Sequence, residues 1–362
     1  MPDQDDLFGS LLDESTVKPE AETPPAPTAQ PTRPSRAQAV QPAASLLGAD
    51  LAPQLPPGLR MGTSSWAYPG WEGLVWGKAY SDRILSQRGL TAYSQHPLLA
   101  AVGIDRSFYR PLTASEYAVY AAQVPAGFRF VVKGPALVCD AQVRGEEGRA
   151  REPNPAFLDP SLALDTFVRP ALDGLGAALG VLLFQLSPLP MGRALDLRPT
   201  LAALEAMLHA AVGAVRAAGS QAIVAVEVRD ADWIQPPFGA AFAELLRASG
   251  AVYGLGLHAK MPRIAEQLPL LRSLWPCPLV ARWNLNPLFG PYGYEEAGRI
   301  HAPYDRIQHP DGATLQALAR TALGIAAAGQ PAYVIVSNEA EGCAPQSIVR
   351  LAQAIIQRKN NG

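Results

Sequence analysis

Cysteine is scarce in this 362-residue chain: Cys139, Cys277 and Cys343 are the only three. They are odd in number, far apart and form no CxxC pair. Neither a disulfide framework nor a structural zinc site is indicated, and a reducing cytoplasm is the expected compartment. Long apolar runs are missing as well. None approaches the roughly 20 residues of a membrane span, so no membrane association is expected. The first residues are acidic, with Asp3, Asp5 and Asp6, which suits neither a signal peptide nor a transit peptide. The chain has no P-loop, no GxSxG, no HExxH, and no GxGxxG after an early strand-like run. The five histidines are scattered. His96, His209, His301 and His309 fall on predicted helices or loops, where surface positions are expected.

Basic surplus is also lacking. The net charge of −2 divides into a tail, residues 1–57, with 8 acids and 3 bases, and a remainder with 24 acids and 27 bases. A body at +3 tolerates anionic partners but lacks the basic stripe of a dedicated nucleic-acid binder. The tail holds eleven of the 35 prolines and few large apolar residues. It cannot bury enough surface to offset its ordering entropy and is predicted to be disordered. One island stands out in it, Gln4-Asp5-Asp6-Leu7-Phe8. It is read as a frayed terminus, or as a docking peptide with Leu7 and Phe8 as apolar anchors. The second reading rests on a resemblance to the bacterial peptide that binds the DNA sliding clamp, from which Asp5 departs where that pattern prefers Leu.

From residue 58 to 358 the texture is different. Strand-length apolar runs at 59–65, 101–107, 128–134, 180–186, 223–229, 252–258, 278–284 and 332–338 alternate with helical stretches. The helices are predicted at 82–99, 114–124, 161–178, 196–218, 238–250, 262–275, 311–328 and 345–358. Eight such units in about 300 residues predict an α/β fold, a (β/α)8 TIM barrel, with a doubly wound open sheet as the alternative. In 223–229 the alternation puts Val224, Val226 and Val228 on one face, and Ala225, Glu227 and Arg229 on the other. The strands end in Thr63-Ser64, Asp105-Arg106, Lys133, Gln185, Glu227-Arg229, His258, Arg282-Asn284 and Ser337-Asn338. Barrel sites lie at the C-terminal ends of strands, so eight polar tips predict a polar pocket there. Two long loops, 135–160 and 285–310, would flank it as lids, partner surfaces or solvated segments.

The run Gly62-Thr63-Ser64-Ser65-Trp66-Ala67-Tyr68-Pro69-Gly70-Trp71 resembles the opening motif of the YecE-like family, the domain of unknown function numbered seventy-two. The segments 104–109, 128–133 and 183–186, and Val226-Glu227-Val228-Arg229 with Trp233, resemble its second to fifth motifs. Arg282-Trp283 and Ser337-Asn338 match more loosely. The resemblance runs from about 59 to 356 and implies a TIM barrel similar to those of the xylose isomerase and endonuclease IV group. It implies no settled reaction. Gly103 stands where the family usually has Glu, which removes one carboxylate from the implied site. Ser65 and Ser337 also depart from the pattern.

Several chemistries fit the tips. Glu227 and Asp105 form a carboxylate pair for acid/base work, with His258 as a second acid and Lys133 as a further catalytic candidate. Glu227 leads, since the second-strand Glu is missing. Lys133, Arg229 and Arg282 suit a phosphate or carboxylate. Thr63, Ser64, Arg106, Gln185, Asn284 and Asn338 are candidates to orient a substrate. Trp66, Tyr68, Phe108, Tyr109 and Trp233 would supply flat walls. The competing reading is a buried salt-bridge network: Glu227 with Arg229 or Arg282, and Asp105 with Lys133. No cofactor is evident. A single divalent metal on Glu227, His258 and Asp105 is the one metal option, without supporting motif. Function reduces to an enzyme acting on a small anionic, phosphoester or sugar-like substrate, a repair-type nucleic-acid-associated protein, or a non-catalytic scaffold.

Overall fold

The apolar runs form a closed eight-stranded parallel barrel in the computed structural model, which describes residues 39–145, 150–190 and 196–361. The strands are β1 (Leu59–Thr63), β2 (Ala101–Ile104), β3 (Arg129–Lys133), β4 (Leu179–Gln185), β5 (Ile223–Glu227), β6 (Val252–Leu257), β7 (Leu279–Trp283) and β8 (Ala332–Val336). Each pairs with its sequence neighbours, and β1 pairs with both β2 and β8. Closure leaves no barrel strand with an open edge, which rules out the open sheet. β1 and β2 run so close together that a Cβ on Gly62 would stand 1.8 Å from the Ala101 carbonyl oxygen. Only glycine fits there.

Strand alternation separates two apolar layers. Inward-facing Ala101, Val131, Leu183, Ala225, Val280 and Ile335 fill the barrel. Val224, Val226 and Val228 belong to the larger outer core beneath the helices. Arg198–Ala217 shows how that core forms. Its Leu201, Leu204, Met207, Leu208 and Ala211 recur at helical spacing and are buried. This helix alone among the described residues is long and apolar enough, by length and composition, to cross a membrane, though Arg198, Glu205 and Arg216 interrupt its apolar run. Its apolar face packs on the barrel instead.

Two predicted helices are broken. The 82–99 stretch forms only Asp82–Arg88 and Leu90–Tyr93, split at Gly89. The 161–178 stretch contains a π turn at Leu164–Val168, just before Pro170. A proline ring clashes with the carbonyl four residues back, and the wider turn relieves the clash. After β3, Gln142–Arg144 and Ala150–Pro153 pair as a small antiparallel hairpin, anchored by Arg144 Nε on Asp140 at 2.6 Å.

The boundary of the tail needs correction. Residues 39–57 pack on the barrel rather than belonging to a disordered tail. Val40 and Ala43 are buried. Ala43 N donates to Val75 O at 2.9 Å, and Gly77 N to Gln41 O at 2.9 Å. The short helix Ala49–Gln54 meets the C-terminal helix Ala344–Asn361, whose Lys359 Nζ donates to Gln54 O at 3.0 Å. Composition misled here because a proline-rich segment orders readily when a preformed surface covers it. Gln4, Leu7 and Phe8 lie outside the described residues.

Candidate functional site

Register sets the level of the inner tips. Gln185 on β4 pairs with Glu227 on β5, and Gly256 on β6 with Arg282 on β7. Glu227 and Arg282 therefore sit one strand apart, with β6 between them. A Cβ on Gly256 would lie 3.0 Å from Glu227 Cγ and 3.1 Å from its Oε1. The absent side chain lets carboxylate and guanidinium meet above β6. Gly256→Ala is expected to destabilise the fold by about 1–3 kcal/mol through overpacking and to push Glu227 off Arg282. Chemical denaturation checks the first effect and a crystal structure of the variant the second.

A single network follows. Arg282 Nη1 donates to Glu227 Oε2 at 3.2 Å and to Gln185 Oε1 at 2.8 Å, while its Nη2 donates to Asp105 Oδ2 at 2.9 Å. Arg229 Nη2 donates to the same Gln185 oxygen at 2.8 Å. It also stands 2.8 Å from Glu227 Oε1, but off the hydrogen-bond direction, so charge alone pairs that oxygen. Glu227 is fully buried, and Arg229 and Arg282 nearly so, whereas the Asp105 side chain is 36% exposed. The expected Asp105–Lys133 pair is not formed; Asp105 goes to Arg282 instead. Gly103 explains why no carboxylate comes from lower on β2. A Cβ there would stand 2.6 Å from Ser64 O, because β1 and β2 have closed together.

The electrostatics sort the ionisable groups. Burial works to raise the Glu227 carboxyl, and Arg229, Arg282 and Lys133 outweigh it, so the group is held below its ordinary value. It is a permanent anion at neutral pH, poorly suited to carry a proton. Burial pushes the Lys133 ammonium down to about 8; Asp105 opposes that, and Arg282 and Arg229 add to it. Its Nζ lies 3.7 Å from the centre of the Phe108 ring. Burial, then Arg229, Lys260 and Arg282, push His258 down to about 3. Its Nδ1 accepts from Lys260 N at 3.0 Å, so the neutral ring carries its proton on Nε2.

Other sequence candidates lie elsewhere. Thr63 faces outward, sharing a hydrogen bond with Tyr93 Oη at 2.8 Å and donating to Ser65 O at 2.6 Å. Trp66 is core: its Nε1 donates to Leu85 O at 3.1 Å and its ring meets Tyr120 edge-on. Trp233 is fully buried against Phe242. Neither tryptophan walls the mouth, because each belongs to the layer between barrel and helices. Arg106 turns outward to Tyr120 Oη at 3.3 Å; Tyr109, 54% exposed, sets its ring edge-on to Phe108 at the rim beside Lys133. Asn338 is structural, its Oδ1 accepting from Trp71 Nε1 at 3.3 Å and Ala344 N at 2.9 Å. His96 and His301 are buried rather than superficial, and His301 Nε2 lies 2.9 Å from His309 Nδ1.

The proposed metal ligands do not gather. Among the described residues no group of three or more His, Cys, Asp or Glu side chains is placed to hold a metal ion. Arg282 bridges the two carboxylates, and His258 Nδ1 is occupied by backbone.

Three residues of the mouth escaped the sequence reading of the site. Glu339, just past β8, accepts from Ser337 Oγ and from Tyr304 Oη. Tyr304 holds a left-handed backbone, φ 71°, and sets its ring edge-on to Tyr68. Burial, then Glu339 and Tyr304, raise the Tyr68 hydroxyl above its ordinary value, with Ser64 beside it. The Tyr294 ring lies tilted against His258, centroids 5.3 Å apart. Both loop tyrosines were visible in the 285–310 segment, but which of its aromatics return to the mouth depends on how the loop folds.

The sequence profile of the family described as "Protein of unknown function DUF72" matches residues 60–361. Among solved structures, a DUF72 family protein from Enterococcus faecalis is 16% identical with a TM-score of 0.54, over 82% of this chain and 95% of that one. A DUF72 family protein from Thermotoga maritima is 17% identical with a TM-score of 0.52, over 84% and 99%. At these identities the likeness concerns the fold. No curated protein matches the chain.

Proposed function

The chain belongs to the DUF72 family, and on that footing we propose that its barrel mouth is the active site of an enzyme for a small oxyanion-bearing substrate. The observation that carries this is a set of unmet buried donors among fixed cations. Lys133, Arg229 and Arg282 face Glu227, Asp105 and, further out, Glu339, and Glu227 is occupied by both guanidiniums. Arg229 Nε and Asn284 Nδ2 are buried N–H donors without partners. A buried donor left unpaired costs about 1–3 kcal/mol. A bound carboxylate or phosphate supplies the missing acceptors through charge-assisted hydrogen bonds. Asp105 is the carboxylate of the network that still reaches solvent. It is the carboxylate that a substrate entering from solvent would meet, with Glu227 holding the two guanidiniums in place.

Calorimetric titration at low salt tests the reading. Inorganic phosphate and pyruvate are expected to bind, and glucose is not. Arg229→Met is expected to weaken both anions about tenfold, or ~1.4 kcal/mol. Anion affinity indifferent to Arg229→Met, or glucose binding while the anions stay silent, sinks it.

A further inference from the structure

The cation at the end of β3 differs from its neighbours in kind. The chain carries 25 arginines and only five lysines, at 18, 78, 133, 260 and 359. Both inner-face cations that hold carboxylates, Arg229 and Arg282, are arginines. A guanidinium stays charged under all ordinary conditions, whereas an amine can shed its proton and become a nucleophile. Lys133 is the lysine placed among those arginines, and its placement is rigid. Its backbone lies in the β3–β4 ladder opposite Leu183, and its side chain points into the mouth above Val131. Among the described residues no carboxylate pairs with it within 4.0 Å. Its ammonium rests on the apolar face of Phe108 instead. A lysine kept only to balance charge would be drawn into the Asp105–Arg282–Glu227 network. This one is held just outside it.

We infer that Lys133 is a nucleophile whose amine forms an iminium with the carbonyl carbon of a small anionic aldehyde or ketone bound in the mouth. The inference rests on the anion-site reading above, since Arg229 and its unpaired Nε would hold the substrate's carboxylate or phosphate. The amine lone pair forms the C–N bond as the carbonyl π pair moves to oxygen. A proton passes from nitrogen to that oxygen, and the resulting carbinolamine loses its hydroxyl, protonated once more, as water. Counted from the ammonium form, lysine and carbonyl compound give the iminium and one water with no other reactant. Asp105, the carboxylate that acts most strongly on the ammonium, is the group placed to carry the proton between the two steps. Burial and the flanking arginines favour the neutral amine that begins the sequence.

The experiment uses the full chain with glyoxylate and sodium cyanoborohydride at pH 7.5, which reduces any iminium to a carboxymethyl-lysine located by peptide mass spectrometry. Exposed Lys78 and Lys359 are internal references. Burial holds the Lys133 ammonium down to about 8, so far more of it is neutral at this pH than of an ordinary lysine, whose pKa is about 10.4. Lys133 is therefore expected to be modified at least about tenfold faster than either reference. Inorganic phosphate is expected to protect it, and uncharged acetaldehyde to show much less preference for it. Lys133→Arg is expected to abolish labelling at position 133 and leave Lys78, Lys260 and Lys359 at their native rates, and Lys78→Arg to leave Lys133 labelling unchanged. Calorimetric binding of phosphate to Lys133→Arg confirms that this variant keeps a folded mouth. If phosphate binds the native chain but Lys133 reacts no faster than Lys359, the iminium is overturned while the anion site stands. If phosphate neither binds nor protects, the anion-site reading falls as well.

Discussion

Glu227→Gln is expected to destabilise the fold by about 3–5 kcal/mol, the usual cost of leaving a buried charge without its partner. Glutamine keeps the volume of the side chain, so a cavity contributes little, and the cost comes from charge. Arg229 and Arg282 would remain buried beside each other with only the half-exposed Asp105 and the neutral Gln185 to answer them. Urea denaturation is the measurement, with a lowered midpoint and an unchanged slope as the expected result. A double variant, Glu227→Gln with Arg282→Met, is expected to be more stable than the sum of the two single changes predicts, because it removes the uncompensated charge along with its partner. Strict additivity would show that the pair is not coupled.

The pH dependence carries a definite sign. The Glu227 carboxyl is held below its ordinary value in the folded chain. Its contribution to stability is therefore fully present above the unfolded carboxyl pKa of about 4.3. It is lost as pH falls through the lower, folded value. The gap in stability between the native chain and Glu227→Gln should stay constant near neutrality and narrow only in acid. A gap that narrowed as pH rose would mean that Glu227 is protonated in the folded state, and the network would have to be redrawn.

Arg282→Met is expected to have the larger effect on the site. Arg282 alone contacts both carboxylates and Gln185. Truncating one member of a buried, hydrogen-bonded charge pair commonly costs about 2–5 kcal/mol. Glu227 keeps Arg229, so stability should fall less than in Glu227→Gln. Phosphate affinity should fall by roughly a hundredfold, ~2.7 kcal/mol, as the positive charge of the mouth drops and Asp105 swings free. A second readout separates this from general loosening. Arg282 helps push the Lys133 ammonium down, while Asp105 pulls it up. Removing the first and freeing the second both raise Lys133 toward an ordinary lysine. The pH at which Lys133 becomes reactive to glyoxylate should move upward, while the reactivity of Lys78 and Lys359 stays fixed. A downward shift, or an equal shift at all three lysines, would contradict the network.

Much of this could be read from alternation alone. Val224, Val226 and Val228 against Ala225, Glu227 and Arg229 marked the two faces of β5, and Gln185, Lys133 and Arg282 were legible as polar tips of their own strands. What the count could not supply was the extent of each ladder. β2 stops at Ile104 and turns at once into the helical Arg106–Tyr109. Arg106 therefore turns away to Tyr120 although it follows Asp105 directly. Thr63 was assigned to the site by its nearness to a strand end, and its face decided otherwise. Trp66 and Trp233 erred for a related reason. Each follows a strand, and the chain just beyond a barrel strand turns back over the outer core as readily as over the mouth.

The eight-unit barrel, the inward-facing polar tips and the family motifs were determined by the sequence itself, because periodicity and residue type are local properties. Which tips meet was decided only by the tertiary structure. Glu227 and Arg282 are 55 residues apart and touch because closure sets β5 and β7 on either side of β6, where Gly256 leaves the space between them empty. Glu227 looked like the leading proton carrier while it was a carboxylate at the end of a strand. With two guanidiniums on it, it is the charge that holds the site together. Closure leaves Asp105 partly exposed and Lys133 without a carboxylate within 4.0 Å.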